Sequence, residues 1–491
     1  MRRWGLGAPC GLPVAAMGNR AGGGGDGGGE DGKNAVYPFD AGEYSNVYVS
    51  GSGDDENNSG EDEGSPLKTL AAAYTKATDT DPVKRIVVLT NLSGEEAVKF
   101  NSSQESPVII EGRHYDLKIE RSGGADGSVI EISGGAKINF KNIFINGKTN
   151  TNVYHRALLV KGDGTEVTLL DGAKAAGMKI GPTVAENSGQ GSGIRVCDQA
   201  TLVMEEGSSV AGCAYIGTGG FGTVMVQTGA TFEMNGGAIS RNTSQRAAAV
   251  YVYSGADEKG STFTLNGGSL SSNIATDQAG GVFVLSNGAV STFAMNGGTV
   301  SNNSANISSG ICVASDNISN KSVFTMSGGS ISGNTCSSNV GGGIYLVKST
   351  FTMTGGDITG NKAEQGAGMK LNESEFTMSG ESEIRANIAT GTGGGLYIGT
   401  KSTFIMNGGT ISLNEAGNGG GVYMHNNYTS FTFNGGVICG LGDPAYLSLR
   451  NTAGTYAALE IYSGSNVTLN PVAMHSTDNT LIAGVIQGED D

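Results

Sequence analysis

From Phe404 to Tyr423 the chain reads Phe-Ile-Met-Asn-Gly-Gly-Thr-Ile-Ser-Leu-Asn-Glu-Ala-Gly-Asn-Gly-Gly-Gly-Val-Tyr, and variants of this phrase recur along its 491 residues. Its phenylalanine returns in one frame at Phe232, Phe263, Phe293, Phe324, Phe351, Phe376, Phe404 and Phe431. An interval of 25 to 31 residues, read off those positions, is too short for a domain and suits one coil of a solenoid. Phe and Met stand two apart, which in an extended strand sends both to one face, while Thr264, Thr325, Thr352, Thr377 and Thr432 between them face outward. The paired glycines that follow permit a bend that a Cβ would resist.

A second short inward position comes next, at Ile239, Leu270, Val300, Ile331, Ile358, Ile384, Ile411 and Ile438. Three residues later stands an asparagine: Asn242, Asn273, Asn303, Asn334, Asn361, Asn387 and Asn414. A third strand opens after a glycine run, as in Gly341-Gly-Gly-Ile-Tyr-Leu346 and Gly393-Gly-Gly-Leu-Tyr-Ile398. Three short strands and their corners describe one triangular coil. Stacked by parallel pairing about 4.8 Å apart, such coils place Phe on Phe and Met on Met. Each asparagine amide then bonds the next, a structural ladder that satisfies buried corner carbonyls. The fold class predicted is all-β: a single-stranded right-handed parallel β-helix whose repeats depend on their neighbours for a core.

The Phe-x-x-Asn pieces (Phe232 to Asn235, Phe263 to Asn266, Phe404 to Asn407) and the Gly-Gly-x-Ile/Val-Tyr pieces resemble the repeats of polymorphic outer-membrane proteins. More broadly they are similar to bacterial right-handed parallel β-helix proteins of the pectin-lyase-like class, closely over about 190–440 and loosely over 85–470. The resemblance implies export to the cell surface or the medium. It leaves function open, because that class includes adhesins, tailspikes and polysaccharide lyases. Polymorphic outer-membrane proteins carry a C-terminal membrane barrel. Residues 471–491 of this chain lack a succession of ten-residue amphipathic strands, so the expectation is that it does not anchor itself in that way.

Outside the regular repeats, residues 1–34 read as a disordered leader holding an export signal and a glycine-rich linker, with Cys10 placed like a lipidated cysteine. Residues 35–85 read as an N-terminal strand, loop and helix that caps the stack: a strand at Asn46–Ser50, then a helix over Ser65–Lys76 with Leu67, Leu70, Ala71 and Tyr74 on one face and Pro66 in its first turn. Coils are expected over 86–470, degenerate up to about Val167, and a C-terminal cap or tail over 471–491.

The net charge of −16 argues against nucleic acid or an anionic membrane as partner. No stretch is apolar enough to span a bilayer as a helix. Six cysteines show no metal or disulfide spacing; Cys336 stands where sister repeats carry alanine and reads as a small buried thiol. No cofactor is expected, and the chain is expected to be a monomer.

Where chemistry could reside, three groups of candidates emerge. In the acidic run 54–63, Asp55, Asn57 and Ser59 partly reproduce the ligand spacing of a calcium loop. Pro66 stands where its bidentate glutamate belongs, and a solvated turn is the reading. Asp357 and Glu383 hold equivalent positions one coil apart, so their carboxylates fall within about 5 Å of each other, a separation compatible with a glycosidase pair; Lys370 and Arg385 complete this charged coil as catalytic candidates. The column just after the glycine runs, Tyr251, Phe283, Tyr345, Tyr397 and Tyr423, interrupted by Cys312 and Lys370, is expected to face outward as an aromatic strip against which a glycan or a host surface protein lies.

Insertions Ser254-Gly-Ala-Asp-Glu-Lys-Gly260 and Ser315-Asp-Asn-Ile-Ser-Asn-Lys321 are expected to protrude from one edge, where recognition is usually placed. The resulting expectation is a non-catalytic, adhesin-like surface or secreted β-helix. The rivals are a polysaccharide lyase or glycoside hydrolase, and a purely structural spacer.

Overall fold

The computed structural model describes residues 44–78, 84–123, 127–147, 155–180, 192–216, 222–256, 259–337, 340–425, 428–439, 451–455, 459–461, 466–469 and 485–487. The expected leader 1–34, with Cys10, lies outside them, as does nearly all of the expected tail 471–491. Over the described residues the fold is an all-β, right-handed-type parallel β-solenoid with almost no helix. Among those residues no helix is long and apolar enough to cross a membrane.

The Phe strands lie in a 15-stranded sheet. Its register sets Phe232 beside Phe263 and Phe263 beside Phe293, with Met295 beside Met326 in the same file system. Because pairing is parallel and in register, like side chains meet. Successive rings from Phe232 to Phe431 stack with centroids 4.4 to 5.0 Å apart, all fully buried. Stacked aromatic pairs contribute about 0.5–1.5 kcal/mol each beyond area burial. The same sheet continues below through Lys84–Val88, Val108–Gly112 and Lys137–Lys141, where Val, Ile and a single Phe take the inward places. The irregular early coils are thus built on the same plan.

Corners follow from glycine and asparagine. Gly268 has φ +82°, and a Cβ there would lie 2.6 Å from the Gly237 carbonyl oxygen, so the bend excludes any side chain. Next in each coil the asparagine side chain donates to its counterpart in the following coil, as in Asn361 Nδ2 to Asn387 Oδ1 at 3.0 Å, and to a carbonyl of the preceding coil, Ile331 O at 3.0 Å. Its Oδ1 accepts from both the backbone and the side chain of Asn334, each at 3.0 Å. Every polar valence of the buried amide is used. The ladder runs unbroken from Asn242 and reaches one member further than expected, to Asn451, which accepts from Asn414.

Each regular coil carries four strand segments rather than the expected three. After the Phe strand (Thr231–Met234) and the Ile strand (Ala238–Ser240), a short segment such as Thr243–Arg246 precedes the strand Val250–Ser254. This arm pairs with its counterpart in the next coil, Thr243 with Ile274. Its alanines pack in a file of their own: Cys336 lies buried with Ala363, Ala367, Ala389 and Ala416, the small buried thiol expected.

At the N-terminal side the strand is Ser45–Val49 and the helix Leu70–Thr78. The helix starts later than its apolar spacing suggested, because Pro66 and Leu67 are held in the loop. Leu67 bridges to Val49, and Asp54 N donates to the Pro66 carbonyl. Thr69 caps the helix, its Oγ1 accepting from Ala72 N. The buried face is consequently Leu70, Ala73, Tyr74 and Ala77, with Ala71 exposed. Tyr74 lies 4.4 Å from the Phe100 ring.

Candidate functional site

The aromatic column does point away from the solenoid core, but it does not form an exposed strip. Tyr251, Phe283 and Cys312 are buried in a separate cluster with Met225, Ala247 and Ala279, while Tyr397 is 5% exposed and Tyr345 and Tyr423 are half-buried. The reason is the unexpected arm. Its last residues and the turn after them fold back over the column: Gln278 Nε2 reaches Cys312 Sγ at 3.2 Å, and Lys370 Nζ donates to Gln365 Oε1 at 2.7 Å. Burial pushes the Cys312 thiol up to about 12 and raises Tyr345 and Tyr397 above the usual phenol range.

Two residues further along each strand, alternation brings out a second outward column, Tyr253, Leu285, Ala314 and Val347, whose members are half-buried and in register. This column adjoins the loops. It was not singled out from the sequence because its residues share no type, and only their common offset from the glycine run marks them.

The loops after Ser254, Ser286 and Ser315 do leave from one edge, in consecutive coils; residues 257 and 258 of the first lie outside the described set. Each neck is closed by a buried serine pair. Ser254 Oγ accepts from Ser261 N at 2.8 Å, Ser286 Oγ from Ser291 N at 2.8 Å, and Ser315 Oγ from Ser322 N at 2.6 Å. The pairs are joined up the stack, Ser291 Oγ to Ser254 Oγ at 2.8 Å and Ser286 Oγ to Ser322 Oγ at 2.7 Å. Coils with tight turns keep only the second serine, which bonds its own turn, as Ser349 Oγ does with the Val347 carbonyl at 2.8 Å. Beyond these necks Val290 and Ile318 stand exposed, Ile318 at 61%. A residue two before each Phe, serine from Ser261 to Ser402, was the sequence signal for this clasp.

Lys370 occupies the column between Tyr345 and Tyr397. Its ammonium sits 4.5 Å above the Tyr397 ring, a cation–π contact, and desolvation lowers it to about 8 against the partial support of Glu364. The His425 ring is 5.4 Å from that of Tyr397.

Asp357 and Glu383 are register partners on adjacent Ile-sheet strands, as expected. They line a shallow depression with Gly380, Glu381, Ser382 and Arg385. Glu383 is ion-paired with Arg385 at 2.9 Å, both side chains more than 40% exposed, and Lys370 stands in a different file of strands, pairing with Tyr345 and Tyr397, so the structure does not bring the four catalytic candidates together.

The calcium candidates are spent on closing the loop. Asp55 Oδ1 accepts from Lys68 N and Thr69 N at 2.7 and 2.9 Å, Asn57 donates to Asp54 at 2.8 Å, and Ser59 Oγ accepts from Glu61 N at 3.2 Å. Among the described residues no group of three or more His, Cys, Asp or Glu side chains is placed to hold a metal ion.

No protein-family model matches the chain, and no curated protein shows significant similarity to it.

Proposed function

We propose that the solenoid is a non-catalytic, adhesin-like display surface that presents its loop edge and the adjoining outer column to a glycan or a host protein. The observation that carries this reading is the serine-clasped edge: three consecutive loops with pinned necks and apolar residues exposed beyond them. A scaffold that fixes loop bases suits recognition, and an apolar column beside them supplies area for contact. The likeness of the repeats to polymorphic outer-membrane and pectin-lyase-like proteins favours a secreted or surface location. On the same reading the helix Leu70–Thr78, packed through Tyr74 on Phe100, plugs the open end of the stack.

Deleting 316–321 reduces that loop to the length of the sister turn at Lys348-Ser349 without touching the strands. The intact chain is expected to bind in a glycan-array and cell-surface screen and the deleted chain to lose that binding. Blank screens for the intact chain would leave the structural spacer as the reading.

The register pairing of Asp357 with Glu383 favours a second reading, a polysaccharide lyase or hydrolase. Sugar release from a polysaccharide panel that disappears in Asp357→Ala and Glu383→Ala would establish it in place of the display role.

A further inference from the structure

The outer face of the Phe sheet stays open to solvent: from the strand Thr262–Leu265 to the strand Ser430–Phe433 every outward side chain is half-buried or exposed. Alternation about each inward Phe sends two residues out per strand. One file holds Thr262, Thr292, Thr350 and Thr403, and a second, in register beside it, holds Thr264, Thr325, Thr352 and Thr377. Where threonine is missing, Ala294, Val323 and Ile405 still present methyl groups. A third file, two residues on, contains Asn266 and Asn296. Over these strands the three files carry one charged residue, Glu375, and Lys321 pairs with it at 2.7 Å. In a chain of net charge −16 that neutrality is local, since the Ile strands carry Asp357, Glu383 and Arg385 over the same coils.

The face is also flat. Its register runs without a shift from strand to strand, whereas the arm shifts between Ser244 and Arg246 and between Ala363 and Gln365. The Phe rings behind it lie within 3° to 13° of parallel from Phe263 to Phe431. Little builds up, therefore, of the twist of about 20–25° per strand usual in open sheets.

These threonines form a plane grid. Its step is one coil in one direction, 4.4 to 5.0 Å by the spacing of the rings behind it, and two residues in the other, about 6.6 Å. The hydroxyls of Thr264, Thr325, Thr352 and Thr377 bond to no other described residue, which leaves them to water. Water oxygens on the prism face of ice repeat along two perpendicular axes at close to these two distances. A β-branched side chain, stiff at χ1, holds a hydroxyl and a methyl in fixed places to meet them. A charged file would resist the same contact, because each charge would have to shed hydration against the solid.

We propose that the threonine face binds ice, the crystal surface of water being recognised by its match to the grid. The face is distinct from the loop edge, and its role does not depend on that reading.

The test grows ice slowly from a dilute solution of the full chain, measures the chain taken up by the solid, and reads thermal hysteresis in parallel. The parent is expected to concentrate in the ice and to hold the freezing point below the melting point. Thr325→Lys and Thr352→Lys set a charge at exposed places in the middle of the face. Their own melting temperatures are expected to match the parent's, while thermal hysteresis falls about tenfold or more for the hydration lost. Ser271→Lys, on the Ile strands, is expected to behave as the parent. The proposal is overturned if the parent stays in the liquid without hysteresis, if the two threonine variants match it, or if Ser271→Lys loses as much. A parent dimer that Thr352→Lys dissolves, with no uptake into ice, would overturn it too, by giving the face to a second copy of the chain.

Discussion

The buried and exposed asparagine files separate what a ladder contributes from what a surface amide contributes. Asn361 is fully buried with all its polar valences met. Its removal strands the Asn334 amide, the Asn334 backbone N–H and the Ile331 carbonyl, each costing about 1–3 kcal/mol when left unpaired in the interior. Asn361→Ala is therefore expected to destabilise by roughly 3 kcal/mol or more. Asn296 forms an amide chain of similar geometry with Asn266 at 2.9 Å, but in solvent. Asn296→Ala is expected to change stability by less than about 0.5 kcal/mol; equal melting shifts for the two variants would contradict this account. The residue before each ladder asparagine from Asn242 to Asn414 is left-handed, from Arg241 at φ +56° through Gly360 at +65° to Leu413 at +58°. A leucine in that region carries about 1–2 kcal/mol of strain. Leu413→Gly is thus expected to raise stability by up to about 1 kcal/mol after the glycine's larger entropy loss, read as a higher melting temperature.

At the scale of elements, the arm and the clasp matter most. The arm turns an outward aromatic column into a second, smaller core, which stiffens the sheet against bending and removes those rings as a landing surface. The clasp fixes the base of each loop. In Ser315→Ala the Ser322 N–H loses its buried acceptor, a cost of about 1–3 kcal/mol confined to the neck. Limited proteolysis within 316–321 is expected to accelerate while cleavage in the neighbouring strands stays unchanged; accelerated cutting throughout the coil would show that the neck is part of the core after all.

At the scale of the whole stack, stability is a sum of neighbour interfaces. The phenylalanine file spans Phe232 to Phe431 and the asparagine ladder Asn242 to Asn451, so both devices operate together over the middle coils and neither reaches the first ones. Hydrogen exchange is expected to be slowest in strands such as Val323–Met326 and Thr350–Met353 and faster in Ser45–Val49, with unfolding proceeding from the ends in steps. Uniform protection along the stack would argue for a single cooperative unit instead.

The solenoid, its Phe and Met files and seven of eight ladder asparagines are legible in the sequence, because parallel in-register stacking makes each coil repeat the same residue at the same inward place. The loop edge is legible too, as a variation in spacing between fixed marks. The arm and the left-handed file are not. Arg241, Ser272, Asn302, Gly333, Gly360, Ala386 and Leu413 share a backbone conformation without sharing a chemistry, since the fold imposes it on whatever residue stands there. Whether Tyr251 is exposed depends on Ala247 folding back over it. Periodicity reports what every coil must do alike; burial and convergence between unlike neighbours are decided only when the coils are laid on one another.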